Sequence, residues 1–296
     1  MDKVIVVSNH AKNVFNATEY IGQIQGTNQQ VQLKMTAPVE VVNYPVKKFK
    51  KTNLDLDLKH DTNFLCVAQM GPRKNLGNTI RWFIEEFHDD EVGLVIKTNI
   101  SRNCLMDRVA SNVNLKKIVS FFPDKKCSVY LLHGDMTDQE MHSLYKHDKI
   151  KAFVCLSHGE GYGLPFFESL YSEVPVVSVG WSGQCDFLFN NKNEEMFYNV
   201  AFDLQQVPEN AVWEGVIVAD SMWAYPRENS AKEKMRECYN DILNNTGHAK
   251  NSKKYSKYLK TNFAEETLYE KFASCVWSPT EEELQWIDSI SEIEIL

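Results

Sequence analysis

The stretch Ser157-His158-Gly159-Glu160-Gly161-Tyr162-Gly163-Leu164-Pro165-Phe166-Phe167-Glu168 decides how the rest of the chain is read. Ahead of it, Ile150 to Leu156 is an apolar run suited to a buried strand. Behind it, Phe166, Phe167, Leu170 and Tyr171 recur at helical spacing, with Pro165 well placed in a first helical turn. Three glycines and a glutamate therefore sit where a strand hands over to a helix. Glycine there lets the backbone approach a ligand closely, and amides at a helix start point toward an anion. Glu168 follows Glu160 by eight positions, two turns of a continuous helix, so one loop and its helix are expected to present both carboxylates to one ligand. Each glycine or carboxylate alone is equally suited to a tight turn or to a dipole-stabilised helix start. The combination is what carries information.

Working outward, strand and helix patterns alternate from Asn63 onward. Strands are predicted at Phe64–Gln69, Val92–Lys97, Val129–Leu132 and Val174–Val179, beside the Ile150 strand. A helix over Lys74–Phe87 carries Leu76, Ile80, Phe83, Ile84 and Phe87 on one face. A helical stretch runs through Leu105, Val109, Val113 and Ile118, and Thr137-Asp138-Gln139-Glu140 is a capping box opening another helix. This alternation predicts an α/β protein with a doubly wound parallel sheet. Earlier, Val4–Val7 reads as a strand capped into a short helix by Ser8-Asn9. Thr18–Pro38 reads as loop with one edge strand at Val31–Leu33, and Val39–Val42 as a strand before a lysine-rich linker over 47–61. After Phe189 the pattern loosens through Trp213, Ile217 and Trp223. Ser230-Ala231-Lys232-Glu233 is a second capping box, and helices fit Lys253–Leu259 and Glu265–Trp277. The expected division is 1–45, 46–278 and a helix or tail at 279–296.

Composition sets the broad class. The chain has 296 residues, 43% of them hydrophobic and 24% charged, as in a globular protein with ample core. A formal net charge of −8 argues against nucleic acid held by bulk electrostatics. Seven cysteines show no Cys-x-x-Cys pair and several fall in apolar runs, which points to reduced core thiols. No secretory leader is visible, and no apolar run approaches the roughly 20 residues a membrane span needs. The expected location is cytoplasmic, with peripheral attachment to a membrane left open. No Asp-x-Asp and no His/Cys cluster suggests a metal, and no cofactor is expected.

In a parallel sheet, ligands sit beyond the carboxyl ends of the strands. The segments there are Gln69–Lys74, Lys97–Asn99, His133–Asp135, His158–Gly163 and Gly180–Gln184. Such a set suits a sugar linked to a nucleoside diphosphate. Arg73, Lys74 and the amides of Gly161–Gly163 are candidates for the diphosphate, Glu160 and Glu168 for hydroxyl groups. Hydride transfer fits poorly, since no Gly-x-Gly-x-x-Gly follows the first strand, and no Gly-x-x-x-x-Gly-Lys-Ser/Thr supports phosphoryl transfer.

Two glutamates with seven residues between them, enclosing Gly-Tyr-Gly-Leu-Pro, resemble the paired-glutamate motif of retaining GT-B glycosyltransferases (family four, "group 1"). The resemblance covers roughly 4–272 and is densest over 64–189. It implies a Rossmann-like nucleotide-sugar lobe behind a truncated N-terminal acceptor lobe, and transfer of a sugar to an acceptor hydroxyl with retention. It further implies that Glu160 contacts the donor sugar, Glu168 the ribose, and that Lys74 neutralises the departing diphosphate. Lys97 matches a strand-end lysine, His133-Gly134 lies where the base packs, and Gly183 sits beside the donor sugar. Gly161, Tyr162, Gly163 and Leu164 border the donor, and His158 is either a sugar contact or a solvated loop residue. One departure is Ala68-Gln69, where many members have Gly-Arg, so the phosphate clamp is expected to lean on Arg73, Lys74 and Lys97. Two other readings stay open: a partial or split protein that binds a nucleotide sugar without transferring it, and more weakly a sugar-nucleotide epimerase. The acceptor is undetermined among glycan, lipid, protein and modified nucleic acid.

Overall fold

A computed structural model describes residues 2–277 and 280–291. Contacts divide the chain into two units, 1–45 with 263–296, and 46–262. The first boundary falls after Pro45. The second falls at 262, because the helix after it belongs with the N-terminal segment.

In the first unit, β1 (Val4–Val6) leads into α1 (Asn9–Ala17), whose cap Ser8 accepts a hydrogen bond from the Ala11 amide. A hairpin of β2 (Glu19–Gln23) and β3 (Gln30–Lys34) follows, then β4 (Val39–Val41), which pairs in parallel with β1. Strand β2 stands where the sequence predicts loop. Its residues are almost all exposed, so no apolar face marks it in the sequence.

The second unit alternates as expected. Its elements begin with β5 (Asn63–Val67), α2 (Leu76–Glu86), β6 (Gly93–Lys97), α3 (Leu105–Val119), β7 (Ser128–Leu132) and α4 (Asp138–Tyr145). They continue with β8 (Ile150–Val154), α5 (Leu164–Tyr171), β9 (Val176–Val179), α6 (Cys185–Leu188) and β10 (Tyr198–Val200). A second hairpin, β11 (Phe202–Gln206) with β12 (Met222–Pro226), precedes α7 (Glu228–Asn244) and α8 (Gly247–Asn262). Helices α9 (Glu265–Val276) and α10 (Glu281–Ser291) belong to the first unit; the rest of the expected tail, 292–296, lies outside the described residues.

The main sheet is parallel, in the order β10-β9-β8-β5-β6-β7. Strands β5, β6, β8 and β9 are short and apolar with almost every residue buried, as covering on both faces demands. Helix α2 seals one face through Ile80, Phe83, Ile84 and Phe87, and Phe64, Phe83 and Phe87 form an aromatic cluster with centroids 4.9–5.6 Å apart. Each such side chain contributes about 1.5–3 kcal/mol on burial. Arg236 of α7 lies 4.4 Å over the Phe87 ring and reaches Glu86 and Asp90, tying α7 to α2.

One helix expectation changes, and a second helix forms as expected but turns polar residues inward. The second capping box is not used: α7 starts at Glu228, and the Ser230 hydroxyl instead accepts a hydrogen bond from the Ala201 amide. In α3 the apolar residues Leu105, Val109 and Val113 are exposed, whereas Asp107 and Ser111 face inward. The Asp107 carboxylate accepts from the amides of Ile100, Ser101 and Arg102, the Ser111 hydroxyl and His133. Satisfying that loop outweighs burying a few aliphatic side chains.

Candidate functional site

Chain order reverses at the centre of the sheet: β5 leads outward through β6 and β7, and the chain then returns to place β8 on the other side of β5. The carboxyl ends of β5 and β8 therefore border the switch-point crevice, where open parallel sheets bind ligands. The loop after β5 carries Arg73 and Lys74, in a short helical turn closed by Asn75 in a left-handed conformation (φ 50°). The loop after β8 carries Ser157–Gly163. Topology brings these two loops together, and the Arg73 carbonyl accepts a hydrogen bond from the His158 amide at 2.8 Å.

Glu160 is the centre of the resulting cluster. The Lys74 ammonium donates to both of its oxygens, at 2.6 and 2.7 Å, Arg73 donates to Oε2 at 3.0 Å, and the Ser157 hydroxyl donates to Oε1 at 2.7 Å. Arg73 also donates to the Gly159 carbonyl. Four hydrogen bonds from three side chains fill the acceptor capacity of one carboxylate. The Glu160 side chain is only 7% exposed, and Lys74 19%. Burial pushes the Glu160 carboxyl up, but Lys74 and then Arg73 outweigh it and hold the group below its ordinary range. Counting formal charges, two cations against one carboxylate leave the cluster net positive, a setting that favours an anion.

A third loop fixes the position of Glu160. The Ser182 hydroxyl accepts from the Glu160 amide at 2.8 Å and donates to Gln184, whose side-chain amide is anchored on the Val179 carbonyl. Gly183 lies so close that a Cβ there would stand 2.0 Å from the Gly161 carbonyl oxygen, and its amide donates to the Glu160 carbonyl. Gly163 caps α5 at φ 92°, a conformation that favours glycine. Gly161 faces open space, with nothing within 4 Å of an added Cβ.

The other expected site residues are placed differently. Tyr162 is a core residue, packed between Phe167 and Phe187 and 4% exposed, so only its backbone is near the loop surface. Leu164 is exposed at the start of α5. His158 is buried, neither solvated nor at the loop surface: Nδ1 donates to the Ala224 carbonyl, and the ring stacks on Trp223 at 13°. Burial lowers its pKa. His133 turns away to Asp107, 2.9 Å away, while Lys97 donates to the Gly134 carbonyl at 2.6 Å. Burial lowers the pKa of Lys97. Gln69, at the departure from the motif, bonds the Ile100 carbonyl.

Glu168 does not share the Lys74 cavity. It lines a separate space of about 60 Å³ with Lys47, Phe49, Asp138, His142 and Tyr145, room for a few water molecules. Burial pushes its carboxyl up to about 7; Asp138 adds to the rise, against Tyr145 and Lys47. A carboxyl raised from 4.5 stabilises the fold fully below its unfolded value, and that contribution is lost as pH rises through the folded value. Glu168→Gln is therefore expected to match the wild type near pH 4 and to exceed it at pH 8 by about 2–3 kcal/mol. Thermal unfolding across this range checks it; a pH-independent difference contradicts it.

Sequence reasoning missed the β11–β12 hairpin. Its Trp213, Ile217 and Trp223 form one wall of a cavity of about 330 Å³, and Gln69–Lys74 form the other. Among the described residues no three His, Cys, Asp or Glu side chains converge as metal ligands, and no helix is long and apolar enough to cross a membrane.

The fold is that of a known class. The chain has the fold of GT-B glycosyltransferases, its six-stranded sheet forming a Rossmann-like lobe. A glycosyltransferase from Rickettsia africae superposes over 94% of this chain and 64% of its own, with a TM-score of 0.60 and 14% identity. Sucrose-phosphate synthase from Thermosynechococcus elongatus matches over 93% and 57%, at 0.59 and 14%. S. aureus TarM, as a mutant in complex with fondaparinux, α-GlcNAc-glycerol and UDP, matches over 94% and 44%, at 0.53 and 16%. The chain thus spans 44–64% of the length of these three proteins. No family model matches it, and no curated protein matches it in sequence.

Proposed function

We propose that the chain binds a nucleoside-diphosphate sugar in the crevice between β5 and β8 and transfers the sugar to an acceptor hydroxyl with retention of configuration. The observation that carries this reading is the Arg73–Lys74–Glu160 cluster at the switch point of a glycosyltransferase-like sheet. The diphosphate takes the outer donors of Lys74 and Arg73 and the amides around Gly161. Those cations lower the energy of the departing diphosphate. The acceptor then attacks the face the diphosphate leaves, its proton passing to a departing phosphate oxygen. Glu160 holds the two cations in place and turns one oxygen toward the sugar once phosphate relieves it of a donor. Ribose reaches Glu168 only when the Lys47–Asp138 pair opens. That pair, 3.3 Å long between side chains 55% and 71% exposed, is cheap to break.

A second reading has its own support in the coverage of 44–64% of the similar structures: nucleotide-sugar binding without transfer until another chain or segment supplies the acceptor side. Calorimetry with uridine-, guanosine- and adenosine-diphosphate sugars, followed by transfer assays on mixed glycan, lipid and peptide acceptors, separates them. Binding with transfer supports the first reading, and binding without transfer the second. Absence of any nucleotide binding rejects both.

A further inference from the structure

Binding of the diphosphate leaves the β11–β12 hairpin unused, although its connection forms half of the cavity of about 330 Å³. That volume suits a small ring, and ligand cavities are mainly apolar with a few placed polar groups. Here the apolar wall is Val212, Trp213, Ile217 and Trp223, and the polar groups come from Gln69, Arg73, Lys74 and Asn210.

Trp213 sits in a turn closed by its own backbone. Paired hydrogen bonds join it to Ile217, at 3.0 and 2.7 Å, around Gly215 at φ 74°. Its side chain remains 67% exposed despite its size. The hairpin is in turn pinned to the Glu160 loop. Ala224 exchanges hydrogen bonds with His158 on both sides, and the His158 ring stacks on Trp223. The connection thus carries an exposed indole into the lining of the cavity that also holds the two cations.

We propose that Trp213 is a stacking platform for the pyranose ring of a carbohydrate acceptor. An indole face takes the C–H face of a sugar, while Asn210 and the side-chain oxygen of Gln69, whose nitrogen is held by Ile100, meet the ring hydroxyls. A lipid chain would leave those polar groups unpaired. The inference rests on the transferase reading and narrows its acceptor to a glycan.

The test uses saturation-transfer NMR on the full chain with methyl glucoside, methyl galactoside, N-acetylglucosamine and maltotriose, beside calorimetry with UDP and GDP. Wild type is expected to saturate the ring protons of at least one sugar. Trp213→Ala should weaken that sugar about tenfold, the size of one aromatic interaction, Trp213→Phe should retain most of it, and nucleotide affinity should stay within about twofold of wild type. No saturation with any of the four sugars overturns the proposal. So does a loss of UDP or GDP affinity in Trp213→Ala, which would make the indole a nucleobase platform. Sugar binding at Trp213 without nucleotide binding keeps the platform and rejects the transferase reading.

Discussion

Lys74→Ala is expected to lower affinity for a nucleoside diphosphate about 10–100-fold, the effect of removing one or two charge-assisted hydrogen bonds, and to destabilise the fold in a pH-dependent way. Against burial, Lys74 is the largest charge holding the Glu160 carboxyl below its ordinary value of 4.5. In the wild type, the stabilisation this gives is fully present above the unfolded value and is lost as pH falls through the folded one. Without Lys74, burial outweighs Arg73, and the carboxyl rises above its unfolded value instead. Its ionisation then opposes folding as pH increases. The gap should reach about 2 kcal/mol at pH 7 and narrow as pH falls through the folded value, to its smallest at about pH 2. Breaking a buried pair usually costs about 3–5 kcal/mol, and the remaining Arg73 and Ser157 reduce it.

A double variant separates the two consequences. Adding Glu160→Gln to Lys74→Ala removes the stranded charge, so stability at pH 7 should recover while nucleotide affinity should not. Calorimetric unfolding at both pH values and titration with UDP and GDP read these effects. Equal stability of wild type and Lys74→Ala at pH 7, or an unchanged nucleotide affinity, would show that Lys74 is only a surface lysine.

The parts of this site legible in the sequence are those that local pattern encodes. Runs such as Phe64-Leu-Cys-Val and Ala152-Phe-Val announce buried strands, and a glycine-rich turn between strand and helix announces a close approach. Together they suffice to place Arg73, Lys74 and Glu160 on the same edge of the sheet. The sequence does not encode which way a side chain turns. Tyr162 goes inward because Phe167 and Phe187 offer an aromatic pocket. His133 is taken by Asp107, a partner 26 positions away, and His158 by Ala224, 66 positions away. Glu168 faces a cavity that Glu160 does not line because the chain is not helical between them: α5 begins only at Leu164, so the two-turn spacing carries no shared direction. The β11–β12 hairpin is hidden for a related reason. Residues 203–206 of β11 are all exposed, leaving no alternation to detect.

The strongest test of how tightly the loops are built is Gly183→Ala, set against Gly161→Ala. At Gly183 the added Cβ would lie 2.0 Å from the Gly161 carbonyl oxygen, 2.5 Å from its carbon and 2.8 Å from the Glu160 oxygen. All three are backbone atoms, and no side-chain rotation relieves them. One loop must move by about an ångström, breaking the hydrogen bond from the Gly183 amide to the Glu160 carbonyl and displacing the carboxylate that Lys74 and Arg73 hold. Overpacking of this kind costs about 1–3 kcal/mol or more, so a fall in stability of about 3 kcal/mol with loss of nucleotide binding is expected. At Gly161 an added Cβ meets nothing within 4 Å, so stability should change by less than about 0.5 kcal/mol. That methyl group nevertheless occupies the open side of the loop from which a phosphate would approach the backbone amides. Nucleotide affinity should therefore drop in Gly161→Ala at unchanged Tm, by about tenfold where the methyl group keeps phosphate off one amide. If Gly161→Ala binds UDP and GDP as wild type does, the diphosphate lies elsewhere, and if Gly183→Ala keeps both Tm and affinity, the two loops are not locked as described.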